Sequence, residues 1–182
     1  MKKFAPFALA AALVLAGAPV AAHAAGLFGS DQPAAGQPAP TFSLPSQDGT
    51  PISLDSLKGK WVVLYFYPKD MTQGCTIEAH KFQDDLPKYD AAGAVILCVS
   101  VDTVDSHKQF CAKDSLTFHL LADPDHKVVE SYGSLASWNG NAMAQRNTFL
   151  IDPQGKIAKV WTKVEPSHSS EEVLAALSEL KK

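Results

Sequence analysis

One cysteine, Cys75, stands where a thiol can act as a nucleophile. It directly follows Gly74, a few residues after Pro68, and helix-forming sequence comes after it. If Thr72 or Gln73 opens that helix, Cys75 lies in the first turn, where unpaired N–H groups and the helix dipole favour negative charge. Because the thiolate is the attacking form of cysteine, this position favours reactivity. The alternative is a small buried apolar residue, which is the role of most intracellular cysteines.

The sequence on both sides of Cys75 predicts the strand and the helix that would position it. Residues 61–67 (WVVLYFY) form an apolar, β-branched and aromatic run, which is typical of a strand buried on both faces. After the cysteine, apolar residues recur at helical spacing and define one helix face. They are Cys75, Ala79, Phe82, Leu86 and Tyr89. Pro87 predicts a kink or an interruption in this helix.

Further strands are predicted by short apolar runs that turn residues separate. They lie around Phe42 and Ile52 and at residues 94–101, 116–121, 148–151 and 156–164. The last two flank the sequence DPQG at residues 152–155, a turn that predicts a hairpin.

Three more helices are predicted: two of them begin at capping boxes, and the other is short. Ser106 with Gln109 and Ser169 with Glu172 match the capping-box pattern, and residues 125–132 predict the short helix. Strands that alternate with helices and then form a hairpin predict an α/β fold with a mixed sheet.

The N-terminal segment has the pattern of an export signal. Lys2 and Lys3 precede an apolar run that ends at Ala22-His23-Ala24, an A-x-A cleavage site. Residues 1–24 are therefore predicted to be a signal peptide and the protein to be exported, into the periplasm. Residues 25–40 are rich in Gly, Pro, Ala and Gln and predict a flexible leader, so the domain is expected to span residues 41–182.

The composition and charge of the chain exclude several classes of function. With 16 basic and 19 acidic residues, the chain has a formal net charge of −3 and no basic run, which gives no electrostatic basis for binding nucleic acid or an anionic membrane. The three cysteines, Cys75, Cys98 and Cys111, are too few for a disulfide scaffold, and their odd number leaves at least one unpaired within a monomer.

The segment around Cys75 resembles a known active site. Pro68, Thr72 and Cys75 stand as P-x-x-x-T-x-x-C, and YFYPKDMTQGCTIEA resembles the active-site segment of peroxiredoxins, in particular the bacterioferritin-comigratory-protein, or Q-type, branch. The resemblance covers roughly residues 38–177, since APTFSL, SVD, SHKQF, LLADPD, SYG, RNTFLIDPQGKI and HSSEEVL follow in the family's order.

The resemblance implies a fold and an activity. The fold is thioredoxin-like, with a mixed central sheet and helices on both faces. The activity is that of a thiol peroxidase acting on hydrogen peroxide and organic hydroperoxides, without a cofactor or a metal. A thioredoxin-like or glutaredoxin-like protein would act as reductant, and the branch indicates a monomer with no attachment to the membrane after signal cleavage.

The same resemblance assigns roles to individual residues. Cys75 matches the peroxidatic cysteine, Thr72 the hydroxyl that holds the peroxide, Pro68 the residue that shields the pocket, and Arg146 the cation. A guanidinium is always charged and stabilises both a thiolate and a developing negative charge. Each of the last three has a simpler alternative, since a proline ends strands, a threonine caps helices and an arginine pairs with surface carboxylates. Glu78 is expected to orient Arg146 or Lys69.

A peroxidatic cysteine is oxidised to a sulfenic acid, which a second thiol must capture. Many members of the branch place that resolving cysteine five residues on, where this chain has His80. Another group uses a cysteine on the helix after the second strand, and Cys111 matches that element. Both cysteines are expected in the first turns of their helices, and at least one helix must unwind locally for a disulfide to form. Cys98, inside a buried strand, is expected to be inert packing.

Other readings remain open from the sequence. A one-cysteine peroxidase would use an external thiol in place of Cys111. A thiol-disulfide oxidoreductase needs C-x-x-C, which the residues after Cys75 do not supply. A copper-delivery protein on the same fold needs two close cysteines and a distant histidine; His80, His107, His119 and His168 are available, but the cysteine pair is missing. Residues 134–145 depart from the family pattern that precedes the arginine.

Overall fold

The computed structural model describes Met1 and residues 32–182. Nine strands lie in this part of the chain: β1 (Ser43–Pro45), β2 (Pro51–Ser53), β3 (Trp61–Phe66), β4 (Ala94–Ser100), β5 (His119–Ala122), β6 (Leu135–Trp138), β7 (Asn141–Ala144), β8 (Asn147–Ile151) and β9 (Ile157–Thr162). The α-helices of the described residues are α1 (Gln73–Ala91), α2 (Val104–Asp114), α3 (Lys127–Ser131) and α4 (Ser169–Leu180). A short 3₁₀ helix spans Leu54–Leu57.

The central sheet has five strands in the order β5-β4-β3-β8-β9. β3 runs parallel to β4, and β4 runs parallel to β5. β8 is antiparallel to both β3 and β9, and its turn into β9 is the predicted hairpin. The predicted mixed sheet is therefore confirmed, with β3 at its centre.

Side chains of β3 alternate between two apolar cores, one on each face of the sheet. Val62, Leu64 and Phe66 belong to the core that α3 covers. Val63 and Tyr65 belong to the core that α1, α2 and α4 cover. Each fully buried side chain of this size stabilises the fold by about 1.5–3 kcal/mol. The sheet carries helices on both faces, as the thioredoxin-like fold requires.

Helix α1 is continuous through Pro87, so the predicted interruption is wrong. Proline removes one backbone hydrogen bond from the preceding turn. Phe82 before it and Tyr89 after it are both fully buried, and the Tyr89 hydroxyl donates to the carbonyl of Ser170 in α4 at 2.8 Å. These tertiary contacts hold the last turn of α1 in helical geometry.

Both predicted capping boxes are wrong. The N-cap of α2 is Thr103, whose hydroxyl accepts from the Ser106 N–H at 3.3 Å, so this helix begins before Ser106. Helix α4 begins at Ser169 itself, after His168. β5 also starts later than predicted, because residues 116–118 form part of the loop that precedes it.

The domain begins earlier than the predicted boundary at residue 41. The N–H groups of Gly36 and Ala39 donate to the carbonyls of Ile157 and Gly155, at 2.8 and 2.9 Å, and Ala39 is buried in the core. The end of the predicted leader is thus attached to the sheet. Apart from Met1, the predicted signal peptide lies outside the described residues. None of the helices in the described part of the chain is long and apolar enough to span a membrane.

The segment that departs from the family pattern folds as a separate hairpin. β6 and β7 pair antiparallel around Asn139 and Gly140, which both have positive φ, the backbone that a two-residue hairpin turn requires. This hairpin leads directly into Arg146 and β8.

Candidate active site

Cys75 is buried in the first turn of α1. Its helix begins at Gln73, and Thr72 is the N-cap residue with extended backbone angles, φ −81° and ψ 150°. The Cys75 side chain is only 2% exposed. The predicted placement is therefore confirmed: the thiol lies at the positive end of the helix dipole and in contact with an apolar core.

Arg146 joins the thiol to a buried carboxylate. Its Nη2 donates to Cys75 Sγ at 3.1 Å, and its Nη1 donates to Glu78 Oε2 at 2.6 Å. Burial tends to lower the pKa of Arg146, but the negative charges of Cys75 and Glu78 outweigh it and raise that pKa. Arg146 is thus a fixed cation, and the alternative of a partner on the surface is excluded because Glu78 is fully buried.

Glu78 lies one turn after Cys75 on the same helix and orients the guanidinium. Burial raises the pKa of Glu78 to about 7, against the opposing charge of Arg146. The carboxyl therefore titrates near neutral pH. Of the two partners considered for Glu78, the structure selects Arg146 and not Lys69.

Gly74 provides the space that Arg146 occupies. A Cβ at position 74 would lie 2.8 Å from Arg146 Nη2, the atom that donates to the thiol. The other glycines of residues 32–182 all have positive φ, whereas Gly74 does not. Close approach of the guanidinium, and not backbone conformation, therefore explains this glycine.

Thr72 and Pro68 precede the thiol in the loop after β3. The Thr72 hydroxyl donates to the carbonyl of Lys69 at 3.0 Å. Its proton is thereby engaged, and the oxygen lone pairs remain able to accept a hydrogen bond. Thr72 is exposed, and Pro68 is half-buried.

The other two cysteines lie apart from this arrangement. Cys111 lies half-buried in the last turn of α2, not in the first turn as predicted, because the helix begins at Val104. Burial and the charge of Asp70 raise the pKa of Cys111 to about 11. Cys98 is buried in β4, and burial raises its pKa well above the usual value. All three cysteines are free thiols.

Among residues 32–182, no group of three or more His, Cys, Asp or Glu side chains could hold a metal ion.

The family of this thiol site follows from its sequence. The model of the AhpC/TSA family matches residues 35–160. The chain belongs to the AhpC/TSA family and is a peroxiredoxin, a thiol peroxidase on a thioredoxin-like fold.

Within the family, the chain is similar to proteins of the Bcp type. It is 46% identical over 146 residues to a putative peroxiredoxin Bcp from Coxiella burnetii, covering 78% of this chain and 97% of that one. It is 40% identical over 149 residues to peroxiredoxin Bcp from Bacillus subtilis, covering 80% and 95%.

Solved structures give the same result. The bacterioferritin comigratory protein of Xanthomonas campestris superposes with a TM-score of 0.74 at 39% identity, covering 78% of this chain and 92% of that one. Peroxidoxin BcpB from Mycobacterium tuberculosis superposes with a TM-score of 0.78 at 30% identity, covering 83% and 100%. The predicted family and branch are confirmed.

Proposed function

We propose that Cys75 is the peroxidatic cysteine and that the bridge from Arg146 to Cys75 and Glu78 activates it. The single observation that carries this proposal is the pair of distances, 3.1 Å to Sγ and 2.6 Å to Oε2. The Cys75 thiolate attacks one oxygen of the peroxide, and the O–O bond breaks. The sulfur becomes a sulfenic acid, and the other oxygen takes a proton and leaves as water or an alcohol.

Arg146 contributes to both ends of this step. A charge-assisted hydrogen bond stabilises the thiolate before attack. As the O–O bond stretches, the guanidinium also stabilises negative charge on the leaving oxygen. Thr72 accepts a hydrogen bond from the peroxide and aligns it for in-line attack, and Pro68 shields the pocket from water.

Cys111 is proposed as the resolving cysteine. Cys111 packs against the same apolar core that contains Cys75, so both thiols border one region of the protein. A disulfide requires α-carbons within about 7 Å. Helix α2 ends one residue before Ser115, which has a left-handed backbone at φ 54°, so the turn that carries Cys111 is terminal and can unwind locally. The first turn of α1 would open at the same time.

Hydrogen peroxide and organic hydroperoxides are the proposed substrates. The X. campestris relative is described in terms of alkyl peroxide reduction, which supports the organic class. The reductant is proposed to be a thioredoxin-like or glutaredoxin-like protein, since a disulfide product needs a dithiol to regenerate it. Export to the periplasm and a monomeric state complete the proposal.

Two single substitutions test the cycle. With hydrogen peroxide and a dithiol reductant, Cys75→Ser is expected to abolish turnover. Cys111→Ser is expected to allow one rapid oxidation of Cys75 and then to stop or over-oxidise. Full turnover by Cys111→Ser with the same dithiol would replace this cycle by the one-cysteine alternative, and peroxide consumption by Cys75→Ser would refute the proposal as a whole.

A further inference from the structure

A buried polar network joins the loop before Cys75 to the helix of Cys111. At its centre is Asp70, which accepts from the Tyr67 hydroxyl at 2.6 Å and from the Ser106 hydroxyl at 2.6 Å. The third contact is between Asp70 Oδ2 and His107 Nδ1, at 2.8 Å. His107 is fully buried, and among the described residues its Nε2 has no hydrogen-bond partner.

These contacts determine which nitrogen of His107 carries the proton. Burial opposes ionisation of Asp70, but hydrogen bonds from His107, Ser106 and Tyr67 outweigh it and lower the Asp70 pKa. An ionised carboxylate only accepts hydrogen bonds, so Nδ1 donates to it. A buried N–H at Nε2 without an acceptor would be destabilising. With its proton on Nδ1, the His107 ring presents at Nε2 a lone pair that has no hydrogen-bond partner among the described residues.

His107, which carries this lone pair, lies on the same helix as Cys111, α2. His107 and Cys111 are four residues apart, so their side chains share one face of the helix. Side chains on a helix lean towards its N-terminus, so Cys111 leans over the turn that contains His107.

We propose that His107 is the general base for the resolving step, positioned by Asp70. This inference rests on the proposed role of Cys111. Nε2 takes the proton from the Cys111 thiol as the turn around it loosens. The Cys111 sulfur attacks Sγ of the Cys75 sulfenic acid, the S–S bond forms, and the S–O bond breaks. The hydroxide that leaves takes up one proton and becomes water, and His107 returns its proton to solvent.

Cys111 needs a base because its thiol is a weak acid. With a pKa of about 11, roughly 10⁻⁴ of this thiol is ionised at pH 7. Three kinds of titratable group also border the network. The contacts of Asp70 lower its pKa and keep it ionised, and the carboxylate of Asp102 accepts from the Asp70 N–H at 2.9 Å. Burial raises the pKa values of Tyr67 and Cys98 well above their usual range. A positioned base typically accelerates such a proton transfer by 10²–10⁴-fold, on the order of what Cys111 lacks.

His107→Asn is the variant that separates this role from a structural one. The asparagine amide can keep the hydrogen bond to Asp70 that Nδ1–H makes, but it has no base at the position of Nε2. His119→Asn, at an exposed position of β5, is the matched control. Samples are mixed with one equivalent of hydrogen peroxide, quenched at intervals from pH 6 to pH 10, alkylated and mass-mapped. Circular dichroism checks that each variant is folded.

In wild type and in His119→Asn, the rate of disulfide formation is expected to rise by less than tenfold per pH unit, because His107 and not hydroxide takes the proton of Cys111. In His107→Asn, that rate is expected to fall about 10²–10³-fold at pH 7, relative to Cys75 oxidation in the same samples, and to rise about tenfold per pH unit. An unchanged rate and pH profile in His107→Asn would refute the role of His107 but would leave the resolving role of Cys111 in place.

Measurements on the wild-type protein test the inference if the variant does not fold. If His107→Asn does not fold, a wild-type rate that rises tenfold per pH unit up to pH 10 overturns the inference, and a shallower rise supports it. If the wild type forms no disulfide between Cys75 and Cys111, both the resolving role of Cys111 and the inference built on it fail.

Discussion

Replacing Gly74 by alanine should slow the oxidation of Cys75 without weakening the fold. The new Cβ would lie 2.8 Å from Arg146 Nη2, too close for a carbon and a nitrogen that do not bond, so the guanidinium must move by several tenths of an ångström. This movement lengthens or bends the hydrogen bond of 3.1 Å to Cys75 Sγ. A hydrogen bond to a charged group contributes about 1.5–3 kcal/mol, so the oxidation of Cys75 should slow, by up to roughly 150-fold if the bond is lost completely.

Stability should change in the opposite direction or not at all. Alanine is favoured over glycine within a helix by up to about 1 kcal/mol, and position 74 lies in the first turn of α1. Stopped-flow oxidation by hydrogen peroxide and chemical denaturation measure the two effects separately. Gln73→Ala, at the exposed neighbouring position, is the control. Oxidation of Gly74→Ala at the wild-type rate, or an equal slowing in Gln73→Ala, would refute the role given to Gly74.

Three further substitutions probe the site. Arg146→Lys keeps a charge but cannot bridge two partners, so the oxidation of Cys75 should slow about 10²-fold in stopped flow; a loss below threefold would argue against the bridge. Burial raises the pKa of Glu78 above its value in the unfolded chain, so the stability that Glu78 contributes is complete below about pH 4.5 and is lost as pH rises through about 7. Denaturation from pH 5 to 8 should therefore show wild type losing on the order of 3 kcal/mol relative to Glu78→Gln, and parallel curves would contradict this assignment. Cys98→Ala should leave peroxidase turnover within twofold while lowering the free energy of unfolding by about 1–2 kcal/mol, and a large loss of turnover would give Cys98 a redox role.

The sequence predicts the elements that local pattern determines. The apolar run of β3 and the helical spacing after Cys75 are both strong local signals, and they place the thiol correctly in the first turn of α1. The turn between β8 and β9 is likewise encoded by its own residues. The hairpin of β6 and β7 also had a local signal, since Asn139-Gly140 is the dipeptide that favours a two-residue turn.

The predictions from sequence fail where contacts between residues that are distant in the chain determine the structure. Ser106 has the sequence context of a cap, but its hydroxyl donates to Asp70, 36 residues away in the chain, and Thr103 caps the helix instead. Because of that error, Cys111 was predicted in the first turn of α2, whereas it lies in the last turn. The contact of Arg146 with Glu78 spans 68 residues, so no local pattern contains it. Only the resemblance indicated Arg146, and the polar network of His107 was found only in the folded structure.

Peptide mass mapping of the reduced protein after one equivalent of hydrogen peroxide tests the proposed cycle most directly. A disulfide between Cys75 and Cys111, with Cys98 still a free thiol, is the expected product. Sulfenic or sulfinic acid on Cys75 with Cys111 unmodified would contradict the two-cysteine cycle, and an unmodified Cys75 would contradict its role as the peroxidatic residue.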